Sequence, residues 1–257
     1  MKVSEAGDYG TDLFTCQPKQ LRMVYQCVGW MQARLFPAHC RLCGVATRSQ
    51  LHLCADCLGD LPWLAGTCTR CSHPLPARQQ DSECGRCQKQ SPAFDATTAL
   101  FHYQAPVDYL IKRLKFSNEL AISPLLSSLL VRKIAKRNAP LPDLLLPVPL
   151  HPTRLRERGF NQATELARRV SRELGIPLDH RRCRRTRQTE PQSLLSTNAR
   201  RINLRNAFMV RGNLPARHVA IIDDVMTTGY TTGELACVLK QAGAEYVEVW
   251  VIARAGG

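Results

Sequence analysis

The sequence predicts a parallel-sheet α/β domain preceded by a small cysteine-rich module, and three observations carry that reading. Eight of the twelve cysteines fall into four C-x-x-C pairs between positions 40 and 87. After Pro92 that pattern stops, and apolar strand-like runs alternate with amphipathic helical ones, as in a parallel sheet covered by helices. One of those runs, HVAIID at 218–223, is apolar on both faces, as a covered strand should be. It delivers two adjacent acids, Asp223 and Asp224, in a chain whose net charge is +14.

The pairs are Cys40/Cys43, Cys54/Cys57, Cys68/Cys71 and Cys84/Cys87, separated by ten, ten and twelve residues. Two C-x-x-C knuckles place four thiolates around a tetrahedral Zn²⁺, so four knuckles predict two zinc sites, most simply Cys40/Cys43 with Cys54/Cys57 and Cys68/Cys71 with Cys84/Cys87, with interleaved pairing also open. A disulfide framework is the rival, but the opening residues MKVSEAGDYG carry no sign of export to an oxidising compartment. Four-thiolate sites leave no open coordination position, which makes these zincs structural, and they would supply most of the folding free energy of a segment poor in apolar residues. Cys16, Cys27, Cys183 and Cys237 read as ordinary thiols, and His39, His52 and His73 as neighbours of the knuckles. The expected organisation is an extension at 1–37, with a short amphipathic helix over 21–37, then a ribbon at 38–92 and an α/β domain at 93–257.

Within the α/β domain, FDATTALFHY (94–103) suits a strand and APVDYLIKRLKF (105–116) a helix. LAISPLLSSLLVRKIAK (120–136) has the leucine spacing of an amphipathic helix and is too short and too basic at its end to cross a bilayer. With no targeting or spanning segment, a cytoplasmic protein without membrane insertion is expected. DLLLPVP (143–149) is an apolar strand-like run ended by proline. In 161–175, Ala163, Leu166, Ala167, Val170 and Leu174 share one helical face, with Asn161 placed to cap the start and Gly175 the end. GELACVLKQAG (233–243) reads as a helix and YVEVWVIA (246–253) as the last strand.

In open parallel sheets, ligands bind beyond the carboxyl ends of the strands, where Asp223 and Asp224 are expected. A bend of small residues follows them, with Thr227, Thr228, Gly229 and Thr231, and Thr231 with Glu234 fits a capping box for the next helix. Such a bend offers amide N–H groups and hydroxyls to phosphate. Donors for phosphate beside two carboxylates match a ribose 5-phosphate, whose vicinal hydroxyls donate to the acids. The bend is neither a P-loop nor G-x-G-x-x-G.

The charge is concentrated. Between Arg181 and Arg211 there are nine arginines against one acid, Glu190, so this stretch carries +8 of the net charge. Clustered guanidinium groups suit phosphate. Aromatic residues make up only 6% of the chain and are not interleaved with the run, which argues against a base-stacking platform.

IIDDVMTTGYT resembles the phosphoribosyl pyrophosphate (PRPP) signature of type I phosphoribosyltransferases. Together with CRLCG, LIKRLKF, PVPLHPTRLRERGFNQ, TRQTEPQSLLS, RRINLRNAF and the four C-x-x-C pairs, it makes residues 35–254 resemble the ComF/GntX family. That family joins a double zinc ribbon to a phosphoribosyltransferase-like domain and is associated with DNA uptake in competent bacteria or the use of DNA as a nutrient. The resemblance implies that Asp223 and Asp224 hold the ribose hydroxyls, directly or through Mg²⁺. It further implies that Thr227, Thr228, Gly229 and Thr231 bind the 5-phosphate. PVPLHPTR would be the pyrophosphate loop, with Arg154 and Arg158 neutralising it, and Lys115 a further phosphate contact. TRQTEPQ would be the flexible loop that closes over substrate. Transferases of this fold acting on 6-oxopurines carry Asp where Thr227 stands, so the resemblance implies a different acceptor. Three functional classes stay open: a phosphoribosyltransferase, a PRPP or nucleotide sensor, and a factor that holds single-stranded DNA or DNA-processing proteins through residues 181–211.

Overall fold

The computed structural model describes residues 38–79, 82–187 and 207–256. The expected helix over 21–37 and residues 188–192 of the TRQTEPQ loop lie outside the described residues. The chain divides into two compact units, residues 1–54 and 55–257. In the first, β1 (Ala38–His39) pairs antiparallel with β2 (Ala46–Thr47). Between them Gly44 takes a φ of +76° while its N–H donates to Cys40 O at 2.9 Å, and the Cys40 N–H donates to Val45 O at 2.8 Å. A left-handed glycine is what turns the chain back around the knuckle.

The second unit opens with α1 (Ala55–Gly59) and a second knuckle pair that ends in α2 (Gly85–Lys89). Its main sheet is four-stranded and wholly parallel, in the order β3 (Ala96–His102), β8 (Tyr246–Arg254), β7 (His218–Met226), β4 (Leu144–Pro147). Crossovers between parallel strands need helices, and α3 (Val107–Phe116), α4 (Ile122–Ala135), α5 (Pro152–Arg158), α6 (Gln162–Leu174) and α7 (Tyr230–Gln241) supply them. A second ribbon, β5 (Cys183–Arg185) with β6 (Phe208–Val210), is antiparallel.

Strand residues alternate between two covered faces. Val219, Ile221, Val247, Val249 and Val251 join Leu235, Ala236 and Leu239 of α7 and all four cysteines 68, 71, 84 and 87 in one cluster. The alternate set, Ala220, Ile222, Trp250 and Ile252, is fully buried on the other face, where α4 and α6 pack against each other and the sheet. The second cysteine group is therefore continuous with the core of the α/β domain.

The central strand carries a buried acid near its start. Glu248 is 3% exposed and accepts from Trp250 Nε1 at 2.7 Å, Arg137 Nη2 at 3.0 Å and Arg137 Nη1, and it pairs with His218 Nε2 at 2.8 Å. Arg137 also lies over the Trp250 ring. This network lies near the amino ends of β7 and β8, far along the strands from the acid pair.

Several expectations are corrected. The strand expected at 218–223 runs on to Met226, so Asp224 as well as Asp223 lies within β7 near its carboxyl end, with Asp223 in register with Val251. α7 begins at Tyr230, three residues before expected, and its cap is Gly229 at φ +78°, so Thr231 lies inside the first turn and not at the cap of a capping box. The hydroxyl that does bond there is Thr232 Oγ1, which donates to Gly229 O at 3.1 Å. The stretch following β4, expected as a loop, contains the helix α5: His151 Nδ1 accepts from Thr153 N–H at 3.3 Å, Pro152 occupies the first turn and Gly159 closes it at φ +79°. The helix expected at 161–175 is found at 162–174 with both expected caps, Asn161 Oδ1 accepting from Ala163 N–H at 3.0 Å and Gly175 left-handed.

Candidate functional site

The cysteines form two groups of four in consecutive order, Cys40, Cys43, Cys54 and Cys57, then Cys68, Cys71, Cys84 and Cys87. In each, the sulfur atoms lie within 4.8 Å of one another, and the Cys43–Cys54 and Cys71–Cys84 Sγ separations are 3.7 Å. Four thiolates at the usual Zn–S distance of about 2.3 Å around a tetrahedral ion would stand about 3.8 Å apart. The second group is buried throughout, and burial together with the neighbouring Cys71 thiol pushes the Cys87 thiol far up. A divalent cation would relieve that penalty. The Cys84 N–H donates to Cys68 Sγ at 3.2 Å, the bond a thiolate ligand accepts. Both groups fit a double zinc ribbon, and the pairing is the simpler, consecutive one expected from the sequence.

At the carboxyl end of the sheet, β7 presents Asp223 and Asp224 on opposite faces of the strand. Asp224 is 2% exposed, and its Oδ2 lies 2.6 Å from Lys115 Nζ at the end of α3. Burial works against the lysine charge, yet the carboxylates of Asp224 and Asp223 carry its pKa above the ordinary value. Asp223 is partly exposed; burial first and the Asp224 charge second push its carboxyl up to about 8. Each acid turns one oxygen to a local amide: Asp223 Oδ1 accepts from Asp224 N–H and Asp224 Oδ1 from Val225 N–H, both at 2.9 Å.

Arg154 and Arg158 come from α5, not from a loop. With Lys115, Phe116, Asn118 and Glu157 they line a cavity of about 190 Å³. Arg158 is half-buried, burial lowering its pKa while the charge of Asp224 opposes the change, and its guanidinium lies 5.4 Å over the Phe116 ring. Lys115, Arg154, Arg158 and Asp224 are thus brought together. Arg185 on β5 feels the charge of Asp223, a contribution the sequence left among the undivided arginines.

The bend after β7 holds Thr227, Thr228 and Gly229. Thr228 Oγ1 is buried and has no hydrogen-bond partner among the described residues. Gly229 is left-handed at φ +78°, and a Cβ there would lie 2.7 Å from Met226 Cε, so the methionine would have to shift. The amino end of α7 follows the bend directly, with left-handed Gly229 as its cap and Thr231 in its first turn. On the other side of the bend a cavity of about 760 Å³ is lined by Thr227, Thr228, Arg86, His73, Pro76 and Arg254, among others.

Two residues of this site were not anticipated. Arg254 ends β8 and is 2% exposed, with Nε donating to Cys71 O at 2.9 Å and Nη1 to Met226 O at 3.2 Å. Arg86, inside the Cys84/Cys87 knuckle, donates to Thr228 O. A charge closing an apolar strand at the ligand edge was a readable signal for Arg254, the same one that marked the aspartates; for Arg86 no signal existed.

A family model described as "Double zinc ribbon domain" matches residues 31–88. Competence protein F of Haemophilus influenzae is 37% identical over 227 residues, covering 84% of this chain and 96% of that protein. DNA utilization protein YhgH of Escherichia coli K12 is 36% identical over 219 residues, covering 84% of this chain and 89% of that protein. Among solved structures, a purine phosphoribosyltransferase from Pyrococcus horikoshii is 17% identical, covers 62% of this chain and 87% of its own, and superposes with a TM-score of 0.31, too low to bear on the site. By its identity to Competence protein F and YhgH along nearly their whole lengths, with a double zinc ribbon leading into a parallel α/β core, the chain belongs to the ComF/GntX family.

Proposed function

We propose that this chain binds PRPP with Mg²⁺ at Asp223, Asp224 and the 227–231 bend, and acts in the uptake of DNA or its use as a nutrient in the cytoplasm. The observation that carries the reading is the juxtaposition of adjacent acids, Asp224 buried and Asp223 partly exposed, with a bend whose buried Thr228 hydroxyl has no hydrogen-bond partner among the described residues. Asp223 and Asp224 accept from the 2- and 3-hydroxyls, and Thr227, Thr228, Gly229 and Thr231 donate to the 5-phosphate. Lys115, Arg154 and Arg158 balance the pyrophosphate.

The acid pair suits Mg²⁺, a hard cation that takes carboxylate oxygen, because a nearby positive charge would bring the raised Asp223 carboxyl back to its ionised form. When bound, the ion would supply charge to the ribose and pyrophosphate oxygens. The chain's own groups orient the sugar and stabilise the charge that separates when a nucleophile replaces pyrophosphate at C1. Both cysteine groups hold zinc in this reading, with the ribbon at 38–92 and the transferase-like domain at 93–257. The relatives' names, Competence protein F and DNA utilization protein, support the physiological half of the proposal.

A second reading, single-stranded DNA held on the basic segment, is favoured by one feature. Arg168, Arg181, Arg184 and Arg185, with His180 and Phe160, line a cavity of about 520 Å³ beside α5 and α6. Much of the 181–211 stretch lies outside the described residues. Strand affinity that stays flat between low and high salt would count against an arginine–phosphate interface.

Calorimetric titration of PRPP with Mg²⁺ into the full chain tests the primary reading. Wild type is expected to bind, and Asp224→Asn, with unchanged circular dichroism, to lose about 10- to 100-fold in affinity, the worth of hydrogen bonds to a charged acceptor. Equal binding by both proteins would refute it. Labelled PRPP incubated with candidate acceptors then separates transfer from sensing.

A further inference from the structure

Three consecutive carbonyls at the foot of α7 are occupied by arginine. Arg254 Nη1 donates to Met226 O, Thr227 O and Ala255 O, while its Nε holds Cys71 O. Arg86 Nη2 donates to Thr228 O, and its guanidinium lies 5.7 Å over the Tyr230 ring. A trans peptide holds its C=O and the following N–H on opposite sides. Seating the carbonyls of 226, 227 and 228 on arginines therefore turns the N–H groups of Thr227, Thr228 and Gly229 the other way. Successive N–H groups aimed to one side, ending in a left-handed glycine, make a concave anion seat. Gly229 supplies the left-handed residue, and among the described residues no acceptor is bonded to the Thr228 or Gly229 N–H.

Arg254 raises a second question, because a buried guanidinium ordinarily pairs with a carboxylate. Its hydrogen-bond partners here are all backbone carbonyls, and no carboxylate pairs with it among the described residues. What lies beside it is the second cysteine group, whose Cys71 carbonyl takes the Arg254 Nε at 2.9 Å. Four thiolates on one Zn²⁺ carry a net charge of about −2. Arg254 touches this group through Cys71 O, and Arg86 stands between Cys84 and Cys87 in the sequence.

We propose that Arg254 and Arg86 are positioning residues for the phosphate bend, and that the second cysteine group supplies the negative charge anchoring them. The ligand arm of this proposal rests on the PRPP reading; the order of the bend does not. The ribbon is then part of the binding site and not an appendage, since it sets which way the peptide groups of the bend face.

The test uses the zinc-loaded full chain as wild type, Arg86→Ala and Arg254→Lys, with metal content measured for each. Two quantities are read: ¹⁵N order parameters of Thr227–Gly229, and PRPP·Mg²⁺ affinity. With zinc content unchanged, order parameters of the bend should fall from about 0.85 toward about 0.6 or less in Arg254→Lys, and to an intermediate value in Arg86→Ala. Affinity should weaken about 10-fold in Arg86→Ala and about 100-fold in Arg254→Lys, the range for charge-assisted hydrogen bonds. Order and affinity at wild-type levels in both variants, while Asp224→Asn loses binding, would overturn the proposal and leave the PRPP reading standing. If wild type binds no PRPP, that reading falls, and the order parameters alone decide: an unchanged bend overturns the positioning roles. Should Arg254→Lys fail to fold, the exposed Arg86→Ala carries the same two measurements.

Discussion

Replacing Asp223 by Asn should make the protein more stable and less able to bind. In the fold, burial and then the Asp224 charge raise the Asp223 carboxyl to about 8, while the unfolded chain ionises it near 3.8. At pH 7 the two states differ by about 3 units at about 1.4 kcal/mol each, or about 4 kcal/mol against folding. Asp223 keeps partial contact with solvent, and screening brings the expected figure down to about 2 kcal/mol. The sign follows from proton counts: the folded state holds the proton more tightly, so the contribution of Asp223 is fully favourable below pH 3.8 and is lost as pH rises through 8. Asn does not titrate and escapes that loss. For a domain of this size about 2 kcal/mol corresponds to a rise of about 4–8 °C in Tm. Calorimetric scans of zinc-loaded wild type and Asp223→Asn should show this gain at pH 7–8, shrinking to less than half by pH 5. No gain at pH 8, or the same gain at both pH values, would refute the reasoning. In wild type, PRPP·Mg²⁺ affinity should strengthen as pH rises through 8 and Asp223 ionises.

Other perturbations have defined outcomes. Lys115→Met leaves Asp224 buried without its cation and should cost about 3 kcal/mol, read as a lower urea midpoint with unchanged m-value; a loss under about 0.5 kcal/mol would show the pair to be inconsequential. Gly229→Ala forces a side chain into a left-handed residue 2.7 Å from Met226 Cε, so a loss of about 1–3 kcal/mol together with PRPP binding is expected, and wild-type behaviour would contradict the tight bend. Glu248→Ala strips the shared acceptor from Arg137, His218 and Trp250 and should destabilise by about 3–5 kcal/mol while sparing the ligand site, which lies at the other end of the strands. Metal analysis should return about two zinc per chain, by the four-thiolate rule; one or none would undo the pairing of the eight cysteines.

Much of this was legible because local chemistry and tertiary role agree. The C-x-x-C spacing predicts knuckles, and knuckles leave little freedom in what lies around them. The strand at 218–223 was visible because both its faces are apolar, and Asn161 and Gly175 marked their helix because a side-chain cap and a left-handed residue are local requirements. The misses are tertiary. β7 continues through Asp223 and Asp224 because β8 stays in register beside it, and pairing outweighs the poor strand preference of aspartate. α5 was hidden behind two prolines, although Pro152 in the first turn and Gly159 at the close are ordinary helix punctuation. Thr231 and Glu234 satisfy the spacing of a capping box, but Gly229 had already begun the helix. Arg86 and Arg254 lie 168 residues apart by their numbering and meet only through the fold.

The most direct test of the central claim is the crystal structure with PRPP and Mg²⁺ bound. The account predicts ribose hydroxyls on Asp223 and Asp224 and the 5-phosphate on the amides and hydroxyls of 227–231, with the carbonyls of 226–228 still held by Arg254 and Arg86. A bend packed shut against its own protein, or a PRPP molecule seated elsewhere, would contradict it.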